Sequence, residues 1–155
     1  MLFAAGKGTR MGDLTKDRPK PMVEVAGKPL IDHALQIANA ADVGPIVVNL
    51  HYLPQLLKAH LSGQGIVFSD ETDGLLETGG GLRKALPLLC SNPVLTMNTD
   101  AVWNGPNPIE TLKNAWQPQM EALLLLVKKQ NVSGHLGAGD FGINAEGHLH
   151  RAPDL

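Results

Sequence analysis

The segment FAAGKGTRMGDLTKDRPKPM, residues 3–22, determines the fold class of this 155-residue chain. The apolar run MLFAA ends at Ala5, and glycines follow it at positions 6, 8 and 12. Glycines let backbone N–H groups approach a phosphate closely. The spacing matches neither a P-loop nor a dinucleotide-binding fingerprint, so the glycines alone leave a plain tight turn as an equal alternative.

Two cations in the same segment favour phosphate binding. Arg10 has a planar guanidinium that suits phosphate oxygens. Lys20 lies between Pro19 and Pro21, and we expect Pro21 to keep it out of helical backbone. The prolines also reduce the entropy lost when the ammonium is held at one point. The segment therefore predicts a loop that wraps a polyphosphate, with a solvated surface lysine as the alternative for Lys20.

Beyond this segment, short β-rich apolar runs alternate with helical patterns. The predicted strands are 1–5, 45–50, 65–69, 93–98 and 121–129, and the predicted helices are 29–43, 53–61, 78–89 and 107–116. Asn107 is the expected cap of the last helix, and a hairpin is predicted over 139–144 and 148–151. This alternation predicts an α/β fold, a Rossmann-like three-layer α/β/α arrangement with a mostly parallel central sheet. In such sheets ligands bind at the carboxyl ends of the strands.

The composition argues against several classes of partner. The net charge of −2 gives no reason to expect nucleic acid or an anionic membrane, and the longest apolar run, 122–127, is too short to cross a bilayer. The single cysteine, Cys90, fits a reducing compartment, and the first residues lack the basic region of a signal peptide. We therefore expect a cytoplasmic protein. Residues 1–155 are expected to form one domain that lacks its C-terminal part, with the oligomeric state open.

Two further stretches lie at the expected ligand-binding edge. The glycines of TGGG, residues 78–81, open a helix and supply N–H groups with little obstruction, or they serve only as a helix start with close packing. Asp100 follows a buried strand, where a carboxylate suits Mg²⁺ shared with phosphates. A turn-capping role is the alternative for this aspartate.

The stretch LFAAGKGTRM…LTKDRPKPMVEVAGKPLI, residues 2–31, resembles the N-terminal signature of the sugar-1-phosphate nucleotidyltransferases. Its pattern is a strand, G-x-G-T-R, a spacer, P-K-P, and GKPLI opening a helix. The resemblance implies a nucleoside triphosphate and a sugar 1-phosphate as substrates and Mg²⁺ as cofactor. The implied products are a nucleotide sugar and pyrophosphate.

The resemblance also implies roles for individual residues. Arg10 and Lys20 are the implied catalytic cations, and Asp100 is the implied Mg²⁺ ligand, with Thr99 where the family usually has glycine. The implied nucleotide contacts are Ala5, Gly6, Gly8, Thr9, Arg10, Lys20, Glu71, Thr78, Gly79, Gly80 and Asn98. The implied sugar contacts are His135, Gly139 and Asp140. The family's second metal-binding aspartate has no visible counterpart.

The sequence also favours one pair of substrates and leaves two alternatives to nucleotidyl transfer. LLETGGGL with GAGDF is most similar to the subgroup that uridylylates N-acetylmuramic acid 1-phosphate in peptidoglycan recycling, which favours UTP; mannose-1-phosphate guanylyltransferase is the alternative. The missing second carboxylate leaves open a non-catalytic nucleotide-sugar-binding regulatory protein. A dinucleotide-binding oxidoreductase would need an acid after the strand 45–50, where the chain has NLHY, residues 49–52.

Overall fold

The computed structural model describes residues 1–134, 137–146 and 148–151. The chain divides into two compact units, Met1–Pro118 and Gln119–Leu155. The first unit has the strands β1 (Leu2–Phe3), β2 (Glu24–Val25), β3 (Lys28–Pro29), β4 (Val47–Leu50), β5 (Val67–Asp70) and β6 (Met97–Asn98). Its helices are α1 (Leu30–Ala40), α2 (Pro54–His60), α3 (Glu77–Leu89) and α4 (Pro108–Ala115).

The centre of the first unit is a parallel sheet in the order β5-β4-β1-β6. Leu2 of β1 is in register with Val48 of β4 on one side and Met97 of β6 on the other. All neighbouring pairs in this sheet are parallel. The carboxyl ends of these strands therefore meet at one edge, as the sequence predicts.

Helices cover both faces of the sheet. Val48 and Leu50 of β4 pack in a buried cluster with Ile31 of α1 and Leu57 of α2. Val47 packs on the opposite face with residues of α3. Successive strand residues point to opposite faces, so β4 separates two helical layers, and the predicted three-layer α/β/α arrangement is confirmed.

Two local features show how the sequence sets element boundaries. The side-chain oxygen of Asn107 accepts hydrogen bonds from the backbone of Ile109 at 2.9 Å and Glu110 at 3.4 Å, which confirms the predicted cap of α4. The hairpin of β2 and β3, which the sequence analysis missed, turns at Ala26 and Gly27 with φ of 53° and 74°. Such left-handed pairs form the tight turns of two-residue hairpins.

The second unit confirms one prediction and contradicts another. The hairpin of β7 (Phe141–Ile143) and β8 (Leu149–Arg151) is antiparallel, as predicted. The predicted strand at 121–129 is wrong, because residues 121–128 have no regular secondary structure, and Leu124 is 54% exposed. A strand exists only with a hydrogen-bonded neighbour, and no part of the described chain pairs with this run. None of the helices in the described residues combines the length and the apolar content that a membrane span requires.

Candidate active site

A cavity of about 210 Å³ opens at the carboxyl edge of the parallel sheet. It is formed by the strand ends, the loop that carries Lys20, and the start of α3. The lining residues are Phe3, Ala4, Ala5, Gly6, Lys20, Pro21, Asn49, Leu75, Glu77, Thr78, Asn98, Thr99 and Asp100. The fold therefore brings to one cavity six residues that the sequence predicts for the site: Ala5, Gly6, Lys20, Thr78, Asn98 and Asp100.

The predicted phosphate lysine and the predicted metal aspartate are direct neighbours. Lys20 Nζ donates to Asp100 Oδ2 at 2.7 Å, and the two side chains are 31% and 43% exposed. Thr99 is buried, and its hydroxyl donates to the carbonyl of Phe3 at 2.7 Å. This bond ties the end of β6 to the end of β1. Thr99 therefore anchors the backbone next to Asp100.

The glycine loop packs tightly against the Lys20 segment. Gly8 has a φ of 67°, and a Cβ there would lie 2.9 Å from Thr15 Cγ2 and 3.1 Å from Lys20 Cβ. The buried Thr15 hydroxyl donates to the carbonyls of Gly8 at 3.0 Å and Gly12 at 3.3 Å. Only glycine combines the left-handed backbone with this close approach. Gly8 therefore allows the loop to lie close to the Lys20 segment, and it is outside the lining of the cavity within the described chain.

The expectation that Pro21 keeps Lys20 out of helical backbone is wrong. Residues Lys20–Met22 form a short 3-10 helix, in which Met22 N donates to the Pro19 carbonyl at 2.8 Å and Val23 N to the Lys20 carbonyl at 3.0 Å. Pro19 and Pro21 are buried. The hydrogen bonds and the packing outweigh the local preference that proline imposes on its predecessor. Lys20 is nevertheless held between two buried prolines.

Arg10 and Thr9 lie on the exposed part of the glycine loop, in the 3-10 helix Thr9–Thr15. Within the described residues, neither of them lines the cavity. Their contact with a triphosphate stays a prediction.

Glu71 and Asn49 form a buried polar pair next to the cavity, and Asn49 also lines it. The N–H of Ala4 donates to Asn49 Oδ1 at 2.6 Å, and Asn49 Nδ2 donates to Glu71 Oε1 at 2.8 Å. Leu76 N donates to Glu71 Oε2 at 3.1 Å. Glu71 is only 1% exposed, so its carboxylate, predicted to contact the nucleotide, points into the interior. The sequence analysis missed Asn49, whose one signal is a polar amide in an otherwise apolar strand.

The glycines at the start of α3 have different surroundings. A Cβ on Gly81 would lie 2.6 Å from Glu71 Oε1, and one on Gly80 would lie 3.0 Å from Leu76 Cβ. A Cβ on Gly79 would meet no described atom within 4 Å. Among the predicted contacts in this helix only Thr78 lines the cavity in the described part of the chain. Gly79 and Gly80 stay predictions.

The donor set fits a magnesium ion that is shared with substrate. Among the described residues, no group of three or more His, Cys, Asp or Glu side chains could hold a metal. Mg²⁺ is commonly held by one or two carboxylates together with substrate phosphates. Asp100 supplies one partly exposed carboxylate at the cavity, which suits that mode of binding.

The predicted sugar contacts belong to the second part of the chain. His135 lies outside the described residues. Gly139, with a φ of 116°, and Asp140 are exposed residues just before β7 in the second unit. Their contact with a sugar stays a prediction.

The chain is similar to nucleotidyltransferases. A family model described as the MobA-like NTP transferase domain matches residues 1–139. An N-acetylmuramate alpha-1-phosphate uridylyltransferase from Caulobacter vibrioides is 43% identical over 157 residues, which cover 95% of this chain and 65% of the relative. A mannose-1-phosphate guanyltransferase from Gibberella zeae is 35% identical over 114 residues, which cover 68% of this chain and 31% of the relative.

The solved structure of the CTP:phosphocholine cytidylyltransferase from Streptococcus pneumoniae is 31% identical, with a TM-score of 0.41, over 46% of this chain and 32% of that one. The chain thus spans less than two thirds of the length of these relatives.

Proposed function

The chain belongs to the MobA-like NTP transferase domain family, and on that premise we propose that it transfers a nucleotidyl group from a nucleoside triphosphate to a sugar 1-phosphate. Mg²⁺ is the proposed cofactor. The observation that supports this function best is the 2.7 Å contact between Lys20 and Asp100 at a cavity lined also by Gly6 and Thr78. A cation, a carboxylate and glycine backbone at one strand edge suit a polyphosphate with its metal.

The proposed reaction is an in-line displacement at the α-phosphorus. A phosphate oxygen of the sugar 1-phosphate forms a bond to this phosphorus, and the bond to the oxygen that bridges the α- and β-phosphates breaks. Pyrophosphate leaves with the electron pair. No side chain has to act as a nucleophile, because positioning and charge neutralisation supply the catalysis of phosphoryl-type transfers.

Each side chain has a proposed part in that displacement. Lys20 neutralises charge around the α-phosphate and the incoming phosphate. Arg10 and the N–H groups of the glycine loop hold the β- and γ-phosphates, and Asp100 holds Mg²⁺. The metal, when bound, neutralises charge on the phosphate oxygens. Ala5, Asn98 and Thr78, which all line the cavity, contact the nucleoside.

UTP and N-acetylmuramic acid 1-phosphate are the proposed substrates. The name of the Caulobacter vibrioides relative, 43% identical to this chain, supports that choice. The name of the Gibberella zeae relative, 35% identical, supports mannose 1-phosphate with GTP as the second candidate. The first choice places the chain in peptidoglycan recycling in the cytoplasm.

Pyrophosphate release tests the proposal. UTP, GTP, dTTP, CTP and ATP are each offered with N-acetylmuramic acid 1-phosphate, mannose 1-phosphate and glucose 1-phosphate, with and without Mg²⁺. We expect Mg²⁺-dependent release that is fastest with UTP and N-acetylmuramic acid 1-phosphate. GTP with mannose 1-phosphate as the fastest pair would establish the second candidate. A rise in melting temperature with nucleotide but no turnover of any pair would indicate a non-catalytic binding protein.

A further inference from the structure

We propose that Asn49 and Glu71 are positioning residues for the nucleotide, acting as one buried relay that joins the end of β1 to the segment before α3. The inference rests on the proposed function, which supplies the nucleotide. Asn49 is 3% and Glu71 1% exposed. The relay consists of the three hydrogen bonds from Ala4 N to Asn49, from Asn49 to Glu71, and from Leu76 N to Glu71.

The chemistry of the pair matches the groups that it joins. Both ends of the relay are backbone N–H donors, on Ala4 and on Leu76. A bridge between two donors needs an acceptor at each end and a donor-acceptor contact in the middle. An amide that faces a carboxylate is a small pair that meets this requirement. All four polar side-chain atoms of Asn49 and Glu71 then have a partner.

Burying the relay costs desolvation free energy, which a purely structural role does not explain. The carboxylate of Glu71 is buried, and within the described residues it forms no ion pair with a cation. Removing a carboxylate from water is unfavourable unless hydrogen bonds compensate, and apolar pairs often replace buried charges without loss of stability. A role other than stability therefore accounts better for this pair.

Both segments that the relay joins contribute to the lining of the cavity. Ala4 and Ala5 line it directly after β1. Leu75 lines it from the segment before α3, and Thr78 lines it from the first turn of that helix. Glu71 itself is outside the lining of the cavity in the described chain. Asn49 lines the cavity, but both of its polar side-chain atoms are engaged in the relay. We therefore expect the relay to act through the spacing of the backbone on which the nucleotide lies.

Gly81 provides the room that the relay needs under α3. A Cβ at this position would lie 2.6 Å from Glu71 Oε1 and 3.1 Å from Asn49 Nδ2. Val47 and Asn49 point to the same face of β4, the face covered by α3. The third glycine of TGGG is thus explained by the relay beneath it.

A reciprocal exchange of the two side chains tests the proposal. Asn49→Asp places two carboxylates face to face with no donor between them. Glu71→Gln offers one acceptor to two donors, so one contact becomes donor against donor. In the double variant N49D/E71Q, the introduced carboxylate would accept from Ala4 N and from the introduced amide, whose oxygen would accept from Leu76 N. All three hydrogen bonds are then restored with the same net charge.

The readout is kcat and KM for UTP in the full chain, with melting temperature measured alongside. Each single substitution is expected to lower kcat/KM by about 10- to 100-fold, since displacements near 1 Å have effects of that size. The double variant is expected to recover to within a few-fold of wild type. Wild-type kcat/KM in both single variants would overturn the proposal. A double variant as slow as E71Q would also overturn it.

Two further arms keep the result decisive. If the single variants do not fold, the double variant decides: the relay predicts that it folds with kcat/KM within a few-fold of wild type, and a folded but slow double variant would overturn the proposal. If wild type shows no turnover with any nucleotide, the proposed function has failed, and amide hydrogen exchange then tests the relay. The amides of Ala4 and Leu76 should exchange faster in the single variants and return to wild-type protection in the double. Unchanged exchange in the single variants would overturn the relay itself.

Discussion

Lys20 Nζ lies 2.7 Å from Asp100 Oδ2, although the two residues are 80 positions apart in the chain. The contact joins the loop after β1 to the end of β6, two strands that are neighbours in the sheet. Both side chains are partly exposed, and ion pairs of this kind contribute at most about 1 kcal/mol to stability. The pair is therefore better explained by chemistry at the cavity than by stability.

Replacing either member of this pair should greatly slow turnover and leave the fold intact. Lys20→Ala and Asp100→Ala are each expected to lower kcat on the order of 10²- to 10³-fold at saturating Mg²⁺, the usual effect of removing one group that stabilises transition-state charge. Thermal melts should change little. Lys28→Ala is the matched control, since Lys28 is a half-buried lysine that donates to Gln36 and is outside the cavity lining in the described residues. Near-normal rates in both variants would remove the pair from the mechanism.

The glycines of α3 should respond in opposite directions to alanine. Gly81→Ala brings a Cβ to 2.6 Å from Glu71 Oε1, so the buried pair must move, and we expect a loss of about 1–3 kcal/mol in the free energy of unfolding, as for overpacked sites. Gly79→Ala, where a Cβ meets no described atom within 4 Å, should gain up to about 1 kcal/mol from helix propensity. Urea unfolding of both variants measures the difference. Equal changes in the free energy of unfolding in the two variants would show that Gly81 has room for a Cβ.

The sequence predicted the parts of the site that local patterns encode. Lys20 and Asp100 lie in motifs read directly from the chain, and β-strand alternation with helices is enough to place their segments at one sheet edge. Asn49 was missed because its role depends on Ala4 and Glu71, which are 45 and 22 residues away. A polar residue in an apolar strand indicates a buried partner, but does not identify it.

The wrong strand at 121–129 has a related cause. Its run of leucines has high apolar content, but strand formation requires a neighbouring strand, and that is not a local property. The hairpin of β7 and β8 was predicted correctly because its two strands are joined by a short turn in the same stretch of sequence.

The side chain of Asn107 makes two contacts whose contributions to stability can be measured separately. Asn107 caps α4 through its oxygen, and its Nδ2 donates to the Ile37 carbonyl at 2.9 Å. Asn107→Ala loses both contacts and should cost about 1–2 kcal/mol in unfolding free energy. Asn107→Asp keeps the cap and loses only the donor to Ile37, so its loss should be smaller. Chemical denaturation of the two variants measures this order, and an aspartate variant as unstable as the alanine variant would contradict the cap as the main contribution.

Asp70, at the end of β5, should make stability depend on pH in the acid range. The hydroxyl of Thr72 donates to Asp70 Oδ1 at 2.6 Å, the backbone N–H of Thr72 to the same oxygen at 2.9 Å, and Lys58 pairs with Oδ2 at 3.0 Å. Together, with the Thr72 hydroxyl the largest cause, they hold the pKa of Asp70 far below its ordinary value. The native state thus binds this proton more weakly than the unfolded chain does.

The sign of the effect follows from that difference. The stabilisation by Asp70 is fully present above the unfolded carboxyl pKa of about 3.9 and is lost as the pH falls toward the native value, because the unfolded state takes up the proton first. Asp70→Asn removes this titration. The difference in unfolding free energy between wild type and Asp70→Asn should therefore be constant from pH 7 to about 5 and shrink below about 4. Urea unfolding of both proteins at a series of pH values measures it. Curves that stay parallel to the lowest pH would show that the lowered pKa of Asp70 contributes nothing to stability.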